Sequence, residues 1–353
     1  MTPSENFETV ATDAKSEVAS FEDHKKGFLG RFHHALHTTP ALVPLIVLLA
    51  SVVIFGALLG SKFFSPFALT LILQQVQIVG IVAAAQSLVI LTAGIDLSVG
   101  AIAVISSVVM GQFTFRYGLP PIVAVGSGLA FGTAIGAING WLIAYMKLPP
   151  FIVTLGMWQI VLAANFLYSA NETIRSQDIA EHAPLLQILG AKFNIGGAVF
   201  TFGVVFMVGL VLVLAYVLKH TAWGRHVYAV GDDPEAAALS GVNIKKVLIS
   251  VYALAGLICA FAGWALIGRI GSVSPTSGQL LNIESITAVV IGGISLFGGR
   301  GSILGTFFGA LIVGVFTLGL RLAGADAQWT FLLIGALIIA AVAIDQWIRE
   351  VAA

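Results

Sequence analysis

Side chains able to carry covalent or metal chemistry are few in this sequence. Cys259 is the only cysteine and lies in an apolar run, and three of the seven histidines, His33, His34 and His37, cluster near the N-terminus. The chain contains no Gly-x-x-x-x-Gly-Lys-[Ser/Thr] phosphate-binding loop, no His-Glu-x-x-His metal motif and no Gly-x-Ser-x-Gly nucleophile turn. The residues therefore predict no catalytic site, no metal site and no cofactor, and the chain is not expected to hydrolyse ATP itself.

Asp96 is the most informative acidic residue, because it stands between two apolar runs. A carboxylate at the centre of a bilayer costs roughly 2.5–3.5 kcal/mol, so an acid at that depth normally has a partner or a wet cavity. We expect Asp96 to cap the helix that follows it, with a carboxylate oxygen accepting amide hydrogen bonds near Ser98. A direct role in ligand binding or proton coupling is the alternative.

Amide side chains recur inside the apolar runs. They offer hydrogen-bond donors and acceptors without a net charge, so within a membrane they either line a path for a hydroxyl-rich solute or bond one helix to another. An ion carrier would be expected to hold more charge inside the membrane. The set therefore favours a neutral polar cargo, with interhelical bonding as the alternative for any one residue. Its members are Gln74, Gln75, Gln77, Gln86, Ser87, Asn139, Gln159 and Asn165.

A third group of residues predicts a short surface helix. Asp232, Asp233 and Pro234 stand where a helix would begin, and Gly241 stands where it would end. The small alanine side chains between them would permit close docking in a groove of another protein, and the charge of Glu235 could anchor one end. An ordinary solvated loop helix is the alternative.

The composition indicates which elements must position these residues. Apolar residues make up 58% of the 353 residues and charged residues only 10%, whereas a soluble domain carries roughly 25% charged residues. The net charge is zero, with 17 basic and 17 acidic residues, so nothing indicates a nucleic-acid partner. We predict an all-α, polytopic helical membrane protein with about ten transmembrane helices. The ten apolar segments are 41–60, 66–91, 97–111, 121–146, 151–170, 198–218, 247–268, 283–297, 303–323 and 329–347.

The segments divide the chain into a transmembrane domain, 41–347, and two tails, 1–40 and 348–353. With the N-terminus in the cytoplasm, eleven of the 17 Lys and Arg residues lie inside and six outside, which the positive-inside rule favours. In that orientation residues 219–246 form a cytoplasmic loop and residues 171–197 form a periplasmic loop.

Three motifs resemble those of one family of membrane transport proteins. Residues 94–100, Gly-Ile-Asp-Leu-Ser-Val-Gly, and residues 292–302, Gly-Gly-Ile-Ser-Leu-Phe-Gly-Gly-Arg-Gly-Ser, are similar to motifs of the ribose/xylose/arabinose-type sugar permeases. Residues 235–241 contain Glu-Ala-Ala-x-x-x-Gly, which resembles the coupling motif of ATP-binding-cassette importer permeases. The similarity extends over about residues 41–347, and within the family it is greatest to the fructose import permeases.

This resemblance implies an importer permease fold in the bacterial inner membrane, surrounded by lipid and paired with a second permease copy. A dimer of ATP-binding subunits would dock on the cytoplasmic loop, and a periplasmic sugar-binding protein would deliver a monosaccharide to the outer face. Fructose is the favoured cargo, with ribose, mannose and xylose as open alternatives. An ion-coupled secondary sugar carrier is the alternative function; a branched-chain amino-acid permease of similar build is disfavoured by residues 94–100.

The resemblance also assigns expected roles to individual residues. Coupling to the ATP-binding subunits is expected of Asp232, Glu235, Ala236, Ala237 and Gly241. The family motifs and the translocation path are expected to involve Gln74, Gln86, Gly94, Asp96, Ser98, Gly100, Asn139, Gly298, Gly299 and Arg300. The chain departs from the family pattern at Gln86, at Ala93 and at Thr317–Leu318, and these differences could tune the cargo if they face the path.

Overall fold

A computed structural model describes residues 41–352, so the predicted tail at 1–40 lies outside the described residues. Thirteen α-helices, a pair of 3-10 helices and a two-stranded hairpin make up this part of the chain. The α-helices are α1 (Leu42–Leu59), α2 (Pro66–Leu91), α3 (Val99–Phe115), α4 (Pro121–Met146), α5 (Pro150–Ser169), α6 (Ser176–His182), α7 (Phe202–His220), α8 (Ala222–Asp232), α9 (Pro234–Leu239), α10 (Ile244–Ile270), α11 (Leu281–Ile291), α12 (Ile303–Leu322) and α13 (Ala327–Ala352). The 3-10 helices are Gly60–Lys62 and Pro184–Gly190, and strands β1 (Lys192–Ile195) and β2 (Ala198–Thr201) pair antiparallel.

Each of the ten predicted apolar segments contains a helix. Seven of the described helices are long and apolar enough to cross a membrane, namely α1, with the short 3-10 helix after it, and α2, α4, α5, α7, α10 and α12. Three shorter apolar helices, Val99–Phe115, Leu281–Ile291 and Gln328–Ala343 within α13, occupy the remaining segments. The protein is therefore a polytopic helical membrane protein, as predicted, and the number of spans stays a prediction.

One predicted segment and one predicted loop differ in detail from the observed elements. The segment predicted from residue 198 begins with strand β2, and its helix starts only at Phe202. The predicted outer loop is also more structured than a simple connection, since it contains α6, a 3-10 helix and strand β1. A four-residue strand that continues directly into an apolar helix has no separate hydropathy signal, which is why the hairpin was missed.

Proline sets the start of several membrane helices. Pro66, Pro121 and Pro150 each occupy the first helical position, where a missing amide donor removes no intrahelical hydrogen bond. At α2 the preceding Ser65 completes the cap, because its hydroxyl accepts the Ala68 amide hydrogen at 3.1 Å. These boundaries follow directly from the local sequence.

Helix α10 lies at the centre of the bundle and packs closely against α4. A Cβ at Gly136 would overlap the carbonyl oxygen of Tyr252, and a Cβ at Gly256 would overlap that of Gly132. Small residues at such a crossing let two membrane helices approach until their backbones touch. This close crossing holds α10 against α4 in the interior of the bundle.

The two ends of α10 define two separate regions of the molecule. The helix has 27 residues, so its ends lie about 40 Å apart at 1.5 Å per residue. Its first turn follows α8 and α9, whereas its last turn packs on the Pro184–Gly190 helix, where Gly268 meets Gly190. We call the first region the α9 end and the second the hairpin end.

Candidate functional site

Helix α9 forms at the position that the sequence predicts, and Asp233 is its cap. One carboxylate oxygen of Asp233 accepts the backbone amides of Glu235 at 2.9 Å and Ala236 at 3.0 Å. Pro234 takes the first helical position, and Gly241 has a φ of +85° just beyond the end. An aspartate cap, an N-terminal proline and a left-handed glycine together set the two ends of this six-residue helix.

The exposed surface of α9 differs from the alanine face expected from the sequence. Ala237 is buried against the bundle, so it anchors the helix and cannot itself contact a partner. Glu235 and Ala236 are exposed, and Leu239 is 91% exposed. Leu239 was not among the residues expected from the sequence, because leucine in a short helix usually faces the core.

Helix α8 fastens α9 to the rest of the molecule. The Tyr228 hydroxyl donates to the carbonyl oxygen of Gly301 at 3.0 Å, and the Trp223 indole donates to the Ser250 hydroxyl at 2.8 Å. Val227 and Val230 are buried between these two contacts. Because a single residue, Asp233, separates α8 from α9, a displacement of α9 would be carried directly into α8.

The second glycine-rich motif, residues 292–302, contacts the ends of α2 and α8. The Gly299 amide donates to the carbonyl oxygen of Leu91, the last residue of α2, at 3.0 Å. A Cβ at Gly231 would overlap that same carbonyl oxygen, and a Cβ at Gly299 would lie 2.7 Å from the Cα of Asp232. Gly298 and Gly299 also have φ of +84° and +69°, which side chains rarely adopt. The motif glycines thus permit three backbone segments to touch at one junction, which we call the glycine junction, comprising Leu91, Gly231, Asp232, Gly298 and Gly299.

Asp96 stabilises the first motif from within. Its side chain is 1% exposed, and one carboxylate oxygen accepts the Ser98 amide at 2.7 Å and the Ser98 hydroxyl at 2.6 Å. The N-cap residue of α3 is Ser98, so Asp96, which was expected to be the cap, acts from two positions before it. Burial raises the pKa of Asp96 above its ordinary value, and the hydrogen bonds from Ser98 oppose that shift.

Gln86 and Asn139, both expected along the path, bond to the motif instead. With its amide oriented to satisfy both groups, Gln86 donates to the Asp96 carbonyl oxygen at 3.0 Å and accepts the Asp96 amide at 3.2 Å. Asn139 donates to the Ser98 hydroxyl at 3.0 Å, and Thr154 donates to the Ile95 carbonyl oxygen at 2.9 Å. Three helices, α2, α4 and α5, therefore hold the 94–98 backbone in place, and Gln86 is fully buried.

The remaining predicted path residues lie in different surroundings. Gly94 provides space, because a Cβ there would lie 2.6 Å from the Tyr252 hydroxyl oxygen. Gly100 lines a small cavity of about 20 Å³, and Gln74 lines another of about 70 Å³ that it shares with Arg321. Arg300 is exposed at the α9 end. The predicted residues therefore form three groups, one around the 94–98 backbone, one at the α9 end with the glycine junction, and one at cavities of the hairpin end.

A larger polar cavity opens at the hairpin end, and the sequence analysis did not assign it. Its volume is about 480 Å³, and α2, α10, α11 and the 271–280 loop surround it. Among its polar members, Arg269 donates to the Gln75 side-chain oxygen at 2.9 Å. Arg269 ends one apolar segment and Glu284 begins the next, which is the sequence signal that could have found the site. Its lining residues are Gln75, Ile78, Val79, Leu266, Arg269, Ile270, Thr276, Gly278, Gln279, Leu280, Leu281 and Glu284.

Among the described residues, no group of three or more His, Cys, Asp or Glu side chains is arranged to hold a metal ion. Helix caps and close backbone contacts characterise the α9 end, and hydrogen-bonding side chains line the cavity at the hairpin end.

Comparison with known proteins identifies a family and several relatives. Residues 68–342 match the family described as "Branched-chain amino acid transport system / permease component". The fructose import permease protein of Rhizobium meliloti is 72% identical over 351 residues, which cover 99% of this chain and 98% of that protein. The ribose import permease protein of Escherichia coli K12 is 37% identical over 307 residues, covering 87% and 92%.

A third sugar permease shows a similar degree of relationship. The galactose/methyl galactoside import permease protein of Escherichia coli K12 is 34% identical over 316 residues, covering 86% of this chain and 92% of that protein. No solved structure is detectably similar to the chain.

Proposed function

The chain belongs to the branched-chain amino acid transport system / permease component family, and from that membership we propose that it is the membrane-spanning subunit of an ATP-driven monosaccharide importer. The family description names amino acids, but the relatives reported above are all named for sugar import. The observation that carries the proposal is 72% identity to a fructose import permease over nearly the whole of both chains. Fructose is accordingly the favoured cargo, ahead of ribose, mannose and xylose.

The proposed assembly places partners at both ends of the molecule. A pair of ATP-binding subunits docks on α9 through Glu235, Ala236 and the protruding Leu239. A periplasmic sugar-binding protein docks at the hairpin end, and a second copy of the chain completes the transport path. The protein lies in the inner membrane with its N-terminus in the cytoplasm, an orientation supported by the distribution of Lys and Arg.

The contacts at the glycine junction support a mechanical role for α9. A push on α9 reaches Gly231 and Asp232 through α8, and these residues contact the end of α2 and the 292–302 turn between α11 and α12. Backbone-to-backbone contact leaves no compressible side chain between the moving parts, so a small displacement is transmitted rather than absorbed. Helix α2 then extends from Leu91 at the junction to Gln75 at the polar cavity.

The experiment that tests the proposal is purification of the tagged full-length chain from its native membrane in a mild detergent. We expect a stoichiometric ATP-binding subunit to co-purify with the wild-type chain and to be lost in Glu235→Lys, because the substitution reverses the charge at the exposed end of α9. Glu181→Lys is the matched control, since Glu181 is equally exposed but lies in α6 at the hairpin end.

The same preparation separates the proposal from its alternative. In liposomes, the co-purified complex should accumulate sugar only when ATP is supplied. A chain that purifies alone and carries sugar without ATP, with transport abolished by a protonophore, would contradict the importer and establish an ion-coupled carrier.

A further inference from the structure

The cavity at the hairpin end has the size and composition of a small-molecule site. Its volume is about 480 Å³, within the range of roughly 300–1,000 Å³ typical of ligand sites. Polar groups enter it from three directions: Gln75 from α2, Arg269 from the end of α10, and Glu284 from the start of α11. Thr276 and Gln279 add a hydroxyl and an amide from the connecting loop.

The loop over the cavity is held at one end and open at the other. Ile174 and Val273 exchange backbone hydrogen bonds at 3.0 and 3.1 Å, and the buried Asn165 donates to the Pro275 carbonyl oxygen at 2.8 Å. Beyond these anchors, Thr276 and Gln279 are exposed at the cavity. The Thr276 hydroxyl shares a hydrogen bond with the Ser274 hydroxyl at 3.1 Å, and the exposed Gln279 amide remains available to a solute.

The cavity is lined by one cationic and one anionic side chain, Arg269 and Glu284, and the two differ in their hydrogen bonding. Arg269 donates to Gln75, and none of the described residues donates a hydrogen bond to the Glu284 carboxylate. An ionic solute would be attracted by one of these groups and repelled by the other, so the cavity offers it no net Coulomb attraction. A neutral solute with several hydroxyl groups can accept from Arg269 and donate to Glu284 at the same time. A further cation, Arg321, lines the adjoining cavity with Gln74 and Gln75.

The cavity also lies in the part of the chain that an imported solute would reach first in the proposed orientation. It is at the end of α10 opposite to α9. A second, smaller cavity shares Gly278 and Gln279 with it and is lined by Asn165 and Asn282. The Asn165 side-chain oxygen has no hydrogen-bond partner among the described residues. The smaller cavity therefore offers a further hydrogen-bond acceptor to a solute.

We propose that this cavity is the entry subsite for the sugar, in which Arg269 and Glu284 hydrogen-bond to hydroxyl groups of a neutral monosaccharide while Gln75 holds the guanidinium. The inference rests on the proposed function and adds to it the residues that first contact the cargo. It predicts discrimination against sugar acids of similar size, because Glu284 repels a carboxylate held in the same cavity and offsets its attraction to Arg269.

The chain's single cysteine allows a direct test of occupancy. Cys259 is fully buried, so a cysteine introduced at Gln279 becomes the reactive thiol among the described residues. The Gln279→Cys chain is reconstituted in nanodiscs with its co-purified ATP-binding subunits, and alkylation of its peptide by a maleimide is followed by mass spectrometry. Fructose should slow alkylation by a factor of about 1 + [L]/Kd, roughly tenfold at a concentration ten times Kd.

Two controls separate occupancy from indirect effects. Glu172→Cys lies in the exposed connection before α6, outside the cavity, and its alkylation should be unchanged by fructose. Gluconate, an anion of similar size, should leave alkylation of Gln279→Cys unchanged. Adding Glu284→Gln to Gln279→Cys should abolish or strongly weaken the protection by fructose.

The outcomes distinguish this inference from the proposed function. If the wild-type complex imports sugar but fructose does not protect Gln279→Cys, or protects Glu172→Cys equally, the entry subsite is wrong and the importer stands. If the wild-type complex imports no sugar when energised by ATP, the proposed function fails and the subsite fails with it.

Discussion

At the scale of single residues, the buried polar side chains around the first motif share one role, which is to hydrogen-bond to residues 95–98. Gln86 makes both hydrogen bonds to the Asp96 backbone, and Asn139 and Thr154 bond to the same short segment. Buried backbone groups that leave regular structure must find partners elsewhere, and here amide and hydroxyl side chains supply them. The fold therefore requires these side chains, whether or not they also contact a solute.

Asp96→Asn should be much milder than Asp96→Leu. Asparagine retains an oxygen that can accept the Ser98 amide and hydroxyl, whereas leucine leaves both donors buried without a partner, at about 1–3 kcal/mol for each group. We expect a lower melting temperature and reduced sugar uptake for Asp96→Leu and near wild-type values for Asp96→Asn. Complete loss of uptake in both variants, with both chains still folded, would instead assign a role to the charge.

Gln86→Leu tests whether Gln86 positions backbone or selects cargo. The variant removes two hydrogen bonds to buried Asp96 backbone groups, so its melting temperature should fall while the ratio of fructose to ribose uptake stays that of wild type. Gln159→Leu is the matched control, because Gln159 is also a glutamine within an apolar helix but is exposed, and its melting temperature should not change. An altered ratio of fructose to ribose uptake in Gln86→Leu would instead indicate that Gln86 lines the transport path.

At the scale of elements, the proposed coupling requires α8 and α9 to move as one unit about the contact of Gly231 with α2. Gly231 belongs to α8 and meets the last carbonyl of α2, so no side chain fits between these helices. Gly231→Ala should force them apart at a cost of about 1–3 kcal/mol, and it should reduce sugar uptake more than it reduces retention of the ATP-binding subunit. Gly209→Ala, in α7 where an added Cβ meets no atom within 4 Å, serves as the control.

Sugar uptake and co-purification of the ATP-binding subunit, measured on the same membranes, test whether the glycine junction transmits motion. If Gly231→Ala transports sugar as well as Gly209→Ala does, the glycine junction carries no motion and is only a packing contact. If Gly231→Ala loses the ATP-binding subunit completely, the junction maintains the docking surface instead of transmitting its displacement.

The elements differ in how far the sequence predicts them. Helix α9 was predicted together with its ends, because Asp233, Pro234 and Gly241 act locally. The apolar runs likewise predicted the membrane helices. For Gln86 the sequence left two roles open, path lining and interhelical bonding, since hydropathy does not tell whether a buried amide faces a path or a neighbouring backbone. The polar cavity was missed for a related reason: Arg269 and Glu284 are 15 residues apart and line one cavity only when α10 and α11 both pack on α2.

At the scale of the whole molecule, the position of the two ends relative to the membrane governs the direction of transport. Helix α7 connects them, since β1 and β2 lie just before it and α8 follows it. Asn194, in β1, and His220, the last residue of α7, are both exposed, and Cys259 is buried. Cysteines introduced at these two positions therefore report separately on the two ends.

In intact spheroplasts, a membrane-impermeant maleimide should label Asn194→Cys and should label His220→Cys only after the membrane is permeabilised. The physical reason is the excess of Lys and Arg predicted on the α9 side, which is retained in the cytoplasm during insertion. ATP is available only in the cytoplasm, so α9 must lie there to receive its ATP-binding subunits, and the polar cavity must then open outward to admit cargo. The opposite labelling pattern would expose α9 to a compartment without ATP and would contradict the importer and its entry subsite together.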